Sequence, residues 1–262
     1  MDEDKVFDVL DLWYALSIVP HEVLLSTKWV FVDKPEHYKA RLVARGFKPS
    51  HGINYYKTFA PTPTFNTLKL LFSKALLKQW PIRMLNVKVA FLHSIIYKPV
   101  FLWCPQGMKI QKFKVLALKE ALYGAKQATS WWWLHVREVL FSIGFTSNNE
   151  DPRTYTLIKG TKKAILWVHV DDGAITESSK ELMEEITHGT KKKLKVTWDE
   201  NISSLVGILI EKVPQGYKFS QTDLINELIQ LTPSNVTSKS PYPSIVNFNP
   251  TLHQVLKSHT SK

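Results

Sequence analysis

The run from Ala164 to Val170 is almost entirely apolar and ends on Asp171-Asp172-Gly173, after which Ala174 to Thr176 is β-prone again. An Asp-Gly step between two such runs predicts a hairpin. This hairpin carries two carboxylates side by side at the tip of a hydrophobic strand pair. Two adjacent negative charges there are costly unless a cation or basic ligand neutralises them. An exposed Asp-Asp-Gly turn is the plainer alternative, and the strongly hydrophobic strand ahead of it weighs against that reading.

With 262 residues the chain is long enough for one large domain or two small ones. Apolar residues make up 44% and aromatics 12%, so it can bury a core, which excludes a disordered tail, a collagen or an array of obvious repeats. The single cysteine, Cys104, excludes a disulfide framework and a multi-cysteine zinc site. Charge-free apolar stretches fall far short of the roughly 20 residues of a membrane span. The acidic start Met1-Asp2-Glu3-Asp4 argues against a secretory or mitochondrial leader. A reduced intracellular setting, cytoplasmic or nuclear, with no membrane partner, is the expectation.

Charge is distributed unevenly. From His37 to Lys119 there is no Asp or Glu, and the segment holds 15 Lys and Arg. A block of that sign attracts polyanions, of which nucleic acid is the commonest. A merely solvated basic face is the alternative. The interleaved rings of Tyr38, Phe47, Tyr55, Tyr56 and Phe59 favour nucleic acid, since rings can stack on bases.

Thr27 to Asp33 and Tyr38 to Phe47 read as strands, and Ser50 to Asn54 as a turn. Thr64 or Asn66 caps a helix with Leu68, Leu71, Phe72, Ala75 and Leu76 at helical spacing. Strands follow at Arg83 to Ala90 and Val100 to Cys104. A helix from about Ser130 to Ile143 stops at Gly144. Of Trp131-Trp132-Trp133 on that helix, at least one belongs in the core. Ser178 or Ser179 caps a helix through about His188. Strands at Leu205 to Ile210 and Tyr217 to Phe219, then a helix from Thr222 to about Leu231, complete the order. The mixture predicts an α+β fold.

The residues also resemble a known family. Trp167 to Asp172 is similar to the Y-V-D-D box of Ty1/copia-type retrotransposon reverse transcriptases. Lys28 to Phe31 resembles the family's K-W-V-F strand, and Tyr38 to Phe47 reads as its usual next segment. Gly52 to Tyr55 with Thr58 to Pro61, Leu85 to His93, Leu122 to Ala128, Leu205 to Ile208 and Phe219 to Gln221 resemble further segments in the family's order.

The resemblance implies a right-hand polymerase over residues 27–231, with fingers, palm and the start of a thumb. Residues 1–26 would be an N-terminal extension and residues 232–262 a poorly ordered polar tail. It implies RNA-directed DNA synthesis on an RNA template and DNA primer, with deoxynucleoside triphosphates and two magnesium ions. The family's three metal carboxylates fall on Asp171, Asp172 and Asn86, and the last is not an acid. The expectation is therefore a polymerase impaired at Asn86, or else a non-catalytic nucleic-acid-binding remnant. Lys39 and Arg41 fall where the triphosphate approaches. Phe91 falls where an aromatic gate crowds a ribose 2′-hydroxyl, a core aromatic being its alternative. By the same resemblance, Lys126 and Gln127 would face the nucleotide region, and Arg45 and Lys48 the nucleic acid.

Asn54, Lys57, Asn86 and Lys98 stand where the family has acids, and Ser94 where it has glycine. Each replacement is one G-to-A change away in the coding strand, the pattern of a decaying element copy.

Overall fold

The run from Ala164 lies, as far as His169, in the middle of a six-stranded antiparallel sheet and is covered on both faces. The computed structural model describes residues 13–17, 23–34, 37–46, 60–94, 96, 99–108 and 114–231. The first half of the chain runs β1 (Trp13–Ser17), β2 (Leu24–Leu25), β3 (Thr27–Lys34), β4 (His37–Ala44), α1 (Phe65–Lys78), β5 (Ile82–Val87), β6 (Phe101–Leu102) and β7 (Lys114–Leu118). Then come α2 (Ala128–Ile143), β8 (Thr146–Ser147), β9 (Thr154–Lys159), β10 (Lys162–His169), β11 (Asp172–Glu177), α3 (Lys180–Lys191) and β12 (Val196–Asp199). The last elements are β13 (Ser204–Leu205), β14 (Ile208–Val213), β15 (Gly216–Ser220) and α4 (Thr222–Leu231). Residues 1–220 form one unit; α4 belongs to a second, residues 221–262.

The central sheet has the order β12-β5-β11-β10-β9-β8. Side chains alternate across a strand, and both sides of β10 are apolar. Leu166 and Val168 join a core with Trp132, Val136 and Leu140 of α2 and Leu182 and Ile186 of α3. Trp167 points the other way, into a core with Leu68, Leu71, Phe72 and Ala75 of α1 and Leu205 and Ile210 of the β13-β14-β15 sheet. A third core, around Leu42, Leu102, Leu116 and Leu122, joins β4 to the sheet β1-β7-β6-β2. Trp131 and Trp132 are consecutive on α2, about 100° apart. Trp131 enters the third core and Trp132 the first, so one helix ties the two together. Trp133 is half-buried, with the Arg137 guanidinium 4.9 Å over its ring.

Thr64 caps α1 by accepting from the Thr67 N–H at 3.2 Å, and Ser179 caps α3 by accepting from Leu182 at 3.3 Å. Gly144 ends α2 in the left-handed region, as expected. Leu76, expected on the buried face of α1, is 44% exposed.

Several boundaries differ from the sequence reading. The strand expected from Arg83 to Ala90 ends at Val87, because Val89 turns left-handed and a 3-10 turn covers Ala90–His93. The strand expected to reach Ile210 from Leu205 breaks at Val206-Gly207, both at positive φ. Trp13–Ser17, within the segment read as an N-terminal extension, pairs antiparallel with β7. The Ser50 to Asn54 turn and the rings of Phe47, Tyr55, Tyr56 and Phe59 lie outside the described residues, as do Asn54, Lys57, Lys98 and the side chain of Tyr38.

The hairpin is where it was expected, but its tip is not Asp-Asp-Gly. His169 pairs with Asp172, leaving Val170-Asp171 as a two-residue turn. Gly173 lies inside β11 opposite Val168. Its lack of a side chain serves packing rather than the turn: a Cβ there would sit 2.7 Å from the Trp167 carbonyl oxygen.

Candidate active site

Three neighbouring strands assemble the site. β5 and β11 pair antiparallel with Asn86 opposite Asp172, and β10 leads into Asp171. The Val87 N–H donates to the Asp171 carbonyl at 2.7 Å, holding the hairpin tip against β5. Asn86, Asp171 and Asp172 are thus brought together although 85 residues separate the first two.

The Asn86 Nδ2 amide donates to Asp172 Oδ1 at 2.9 Å. A carboxylate only accepts, so the amide must turn its hydrogens toward Asp172. To offer a cation its carbonyl oxygen, Asn86 would have to break this bond and flip. Asp171 is half-buried, and its carboxyl is pushed above the usual range by burial first and by the Asp172 charge as well. Its own backbone, His169 and the Arg41 guanidinium pull the other way. Asp171 and Asp172 are hard, anionic and adjacent, which suits a divalent cation. Asn86 as oriented does not complete that donor set. No group of three or more His, Cys, Asp or Glu placed to hold a metal occurs among the described residues.

Arg41 on β4 reaches this region. Its guanidinium lies 6.0 Å from the centre of the Tyr123 ring, and the Phe91 ring meets Tyr123 edge-on at 4.9 Å. Phe91 is half-buried in the 3-10 turn and packs against the first and third cores. Tyr123 had no role in the sequence reading; the signal was its place in the Leu122 to Ala128 segment. Lys126 is partly exposed just before α2, and Gln127 is the buried residue at that helix's N-cap. Arg45 is exposed and, with Lys28, Ala44 and Gly46, lines an open cavity of about 370 Å³. The side chain of Lys39 and all of Lys48 lie outside the described residues. The His169 ring stacks on Trp167 with centroids 6.0 Å apart.

The chain is similar to known proteins. The family described as reverse transcriptase (RNA-dependent DNA polymerase) matches residues 11–243. The chain is 31% identical over 227 residues to the retrovirus-related Pol polyprotein from transposon RE1 of Arabidopsis thaliana, covering 84% of this chain and 15% of that protein. It is 29% identical over 248 residues to the corresponding polyprotein from transposon RE2 of the same plant, covering 91% and 17%. The polyprotein from transposon TNT 1-94 of Nicotiana tabacum is 27% identical over 217 residues, covering 79% and 16%. The chain therefore belongs to the reverse transcriptase family of Ty1/copia-type retrotransposons. It spans less than a fifth of the length of these three polyproteins.

Among the described residues no helix is long and apolar enough to cross a membrane.

Proposed function

We propose that this chain is the polymerase module of a retrotransposon Pol polyprotein, with residues 27–231 laid out as fingers, palm and the start of a thumb. It binds an RNA template, a DNA primer and deoxynucleoside triphosphates, and its chemistry is impaired at Asn86. The observation that carries this reading is the Asn86–Asp172 hydrogen bond at the register point between β5 and β11. The central hairpin presents Asp171 and Asp172, and β4 brings Arg41 toward them, where a guanidinium suits triphosphate oxygens.

Asp171 and Asp172 would hold a divalent ion, magnesium being the expected one. When bound, such ions activate the primer 3′-hydroxyl and hold the leaving group. Phe91, edge-on to Tyr123, would wall the sugar pocket. Asn86 leaves the site one negative charge short and spends one Asp172 oxygen on an internal bond.

The test is paired. Asn86→Asp should extend a primer with magnesium and deoxynucleotides, while Asn86→Asp combined with Asp171→Asn should not. The expected gain over the original chain is on the order of a hundredfold or more, because metal clamping supplies several kcal/mol and each 1.36 kcal/mol is tenfold. If the original chain extends as well as Asn86→Asp, Asn86 is not the defect. The same hydrogen bond also favours a second reading, a non-catalytic nucleic-acid-binding remnant. Salt-dependent binding with no extension by Asn86→Asp would select it.

A further inference from the structure

The turn that carries Asp171 holds an unusual backbone. Val170, its first residue, has φ of +51°. Positive φ at the first position of a two-residue hairpin turn is a glycine preference. A β-branched residue there is an outlier that persists only where its surroundings hold it. The ladder between β10 and β11 ends at the His169–Asp172 pair, so the hairpin's own strands do not pin the two residues beyond it.

Two other elements do so. The Asp171 carbonyl accepts from the Val87 N–H of β5 at 2.7 Å. The Val170 carbonyl accepts from the Trp132 indole N–H of α2 at 2.6 Å. Trp132 is completely buried, so its N–H is fixed in direction by the ring's packing. A buried indole N–H needs an acceptor, and this one finds it at the strained peptide next to the carboxylates.

We propose that Trp132 is a positioning residue whose indole N–H clamps the Val170-Asp171 turn and so fixes where the Asp171 and Asp172 carboxylates stand. The functional meaning of the clamp rests on the polymerase reading above; its existence does not. A purely core-filling Trp132 would be replaceable by any ring of similar bulk. A clamp needs the N–H, and needs it most while residue 170 is not glycine.

The test is a double-mutant cycle of Trp132→Phe and Val170→Gly read by amide hydrogen exchange. The Val87 amide reports the turn through Asp171. The Leu118 amide, which donates to the Val100 carbonyl at 2.9 Å in the third core, reports general stability. Trp132→Phe should speed exchange at Val87 about tenfold more than at Leu118, and Val170→Gly should remove most of that excess. Equal acceleration at both amides, or the same excess with glycine at 170, overturns the clamp. The indole proton gives a reading that needs no folded Trp132 variant. In the original chain it should exchange as slowly as the Val87 amide; exchange as fast as the half-exposed Trp103 indole overturns the proposal.

A kinetic arm uses Asn86→Asp. There Trp132→Phe should lower kcat about tenfold and leave the nucleotide KM within about twofold, with Val170→Gly restoring kcat. A raised KM with unchanged kcat overturns the positioning role. If Asn86→Asp is inactive, the polymerase reading fails while the exchange cycle still decides the clamp.

Discussion

Asn86 and Asp172 face each other across β5 and β11, and the amide of the first donates to the carboxylate of the second at 2.9 Å. The bond has opposite consequences for folding and for chemistry. Without metal it calms a site in which Asp171 already feels burial and the Asp172 charge. With metal it competes for a carboxylate oxygen.

Asn86→Asp should therefore exchange stability for metal response. A third carboxylate opposite Asp172 replaces a hydrogen bond by like-charge repulsion, so the metal-free variant should lose about 1–3 kcal/mol. Magnesium should restore much of that loss by binding the folded state. Thermal unfolding with and without magnesium measures both. An equal magnesium shift in the original chain and in Asn86→Asp would contradict this account.

Arg41 and Arg45 sit on one strand and its exit but should separate in assay. Arg41 is close enough to Asp171 for its charge to oppose the rise in that carboxyl's pKa that burial causes, whereas Arg45 is exposed beside Lys28 and Gly46. Nucleic-acid affinity should fall steeply with salt, and Arg45→Ala should reduce the log–log slope by about 1. Arg41→Ala, made in Asn86→Asp, should instead raise the nucleotide KM and leave the slope unchanged. The reverse assignment of the two effects would show that the guanidinium roles are exchanged.

The hairpin, α1, α2 and α3 were legible because their patterns are local: an apolar run before carboxylates, helical spacing, a capping Thr64 or Ser179. The turn was misplaced for an equally physical reason. The Asp-Gly rule lets glycine supply positive φ, but here Val170 supplies it under a donor from α2. No local pattern announces a donor 38 residues away. Trp13–Ser17 went unread because its pairing, such as Trp13 with Leu118, is long-range. Asn86 was found only through the resemblance, and its bond to Asp172 lay beyond any sequence reading.

Glu177, at the far end of β11 from the carboxylate pair, should make stability depend on pH. Its side chain is fully buried against Arg83, and one of its oxygens has no hydrogen-bond partner among the described residues. Burial, outweighing the Arg83 charge, raises its pKa from 4.5 to about 7. The folded state then holds a proton that the unfolded state releases. Stability is highest below about pH 4.5 for this group, falls through the interval to about 7 and levels off above it. The loss should be about 1–3 kcal/mol. Glu177→Gln should flatten the profile over that window in urea unfolding. An unchanged slope would assign the pH dependence to other groups.

Gly46 and Gly124 should be the least replaceable glycines of the region around β4. Their backbones meet where β4 joins the segment carrying Tyr123: Ala44 N–H donates to the Tyr123 carbonyl at 2.7 Å. A Cβ on Gly46 would sit 2.2 Å from the Gly124 oxygen, and one on Gly124 would sit 2.2 Å from the Ala44 oxygen. Both obstacles are backbone, which cannot swing aside. Gly124 also has φ of +81°, so alanine there adds conformational strain to the clash. Gly107 supplies the control, because it has φ of +91° with nothing among the described residues within 4 Å of a Cβ. Gly107→Ala should cost about 1 kcal/mol and Gly124→Ala about 2–4 kcal/mol in urea unfolding. Because the clash pushes β4 from Tyr123, Gly124→Ala should also raise the nucleotide KM of Asn86→Asp as Arg41→Ala does. Equal costs for the two alanines would mean that the β4 contact yields readily, and an unchanged KM would remove the link from this packing to Arg41.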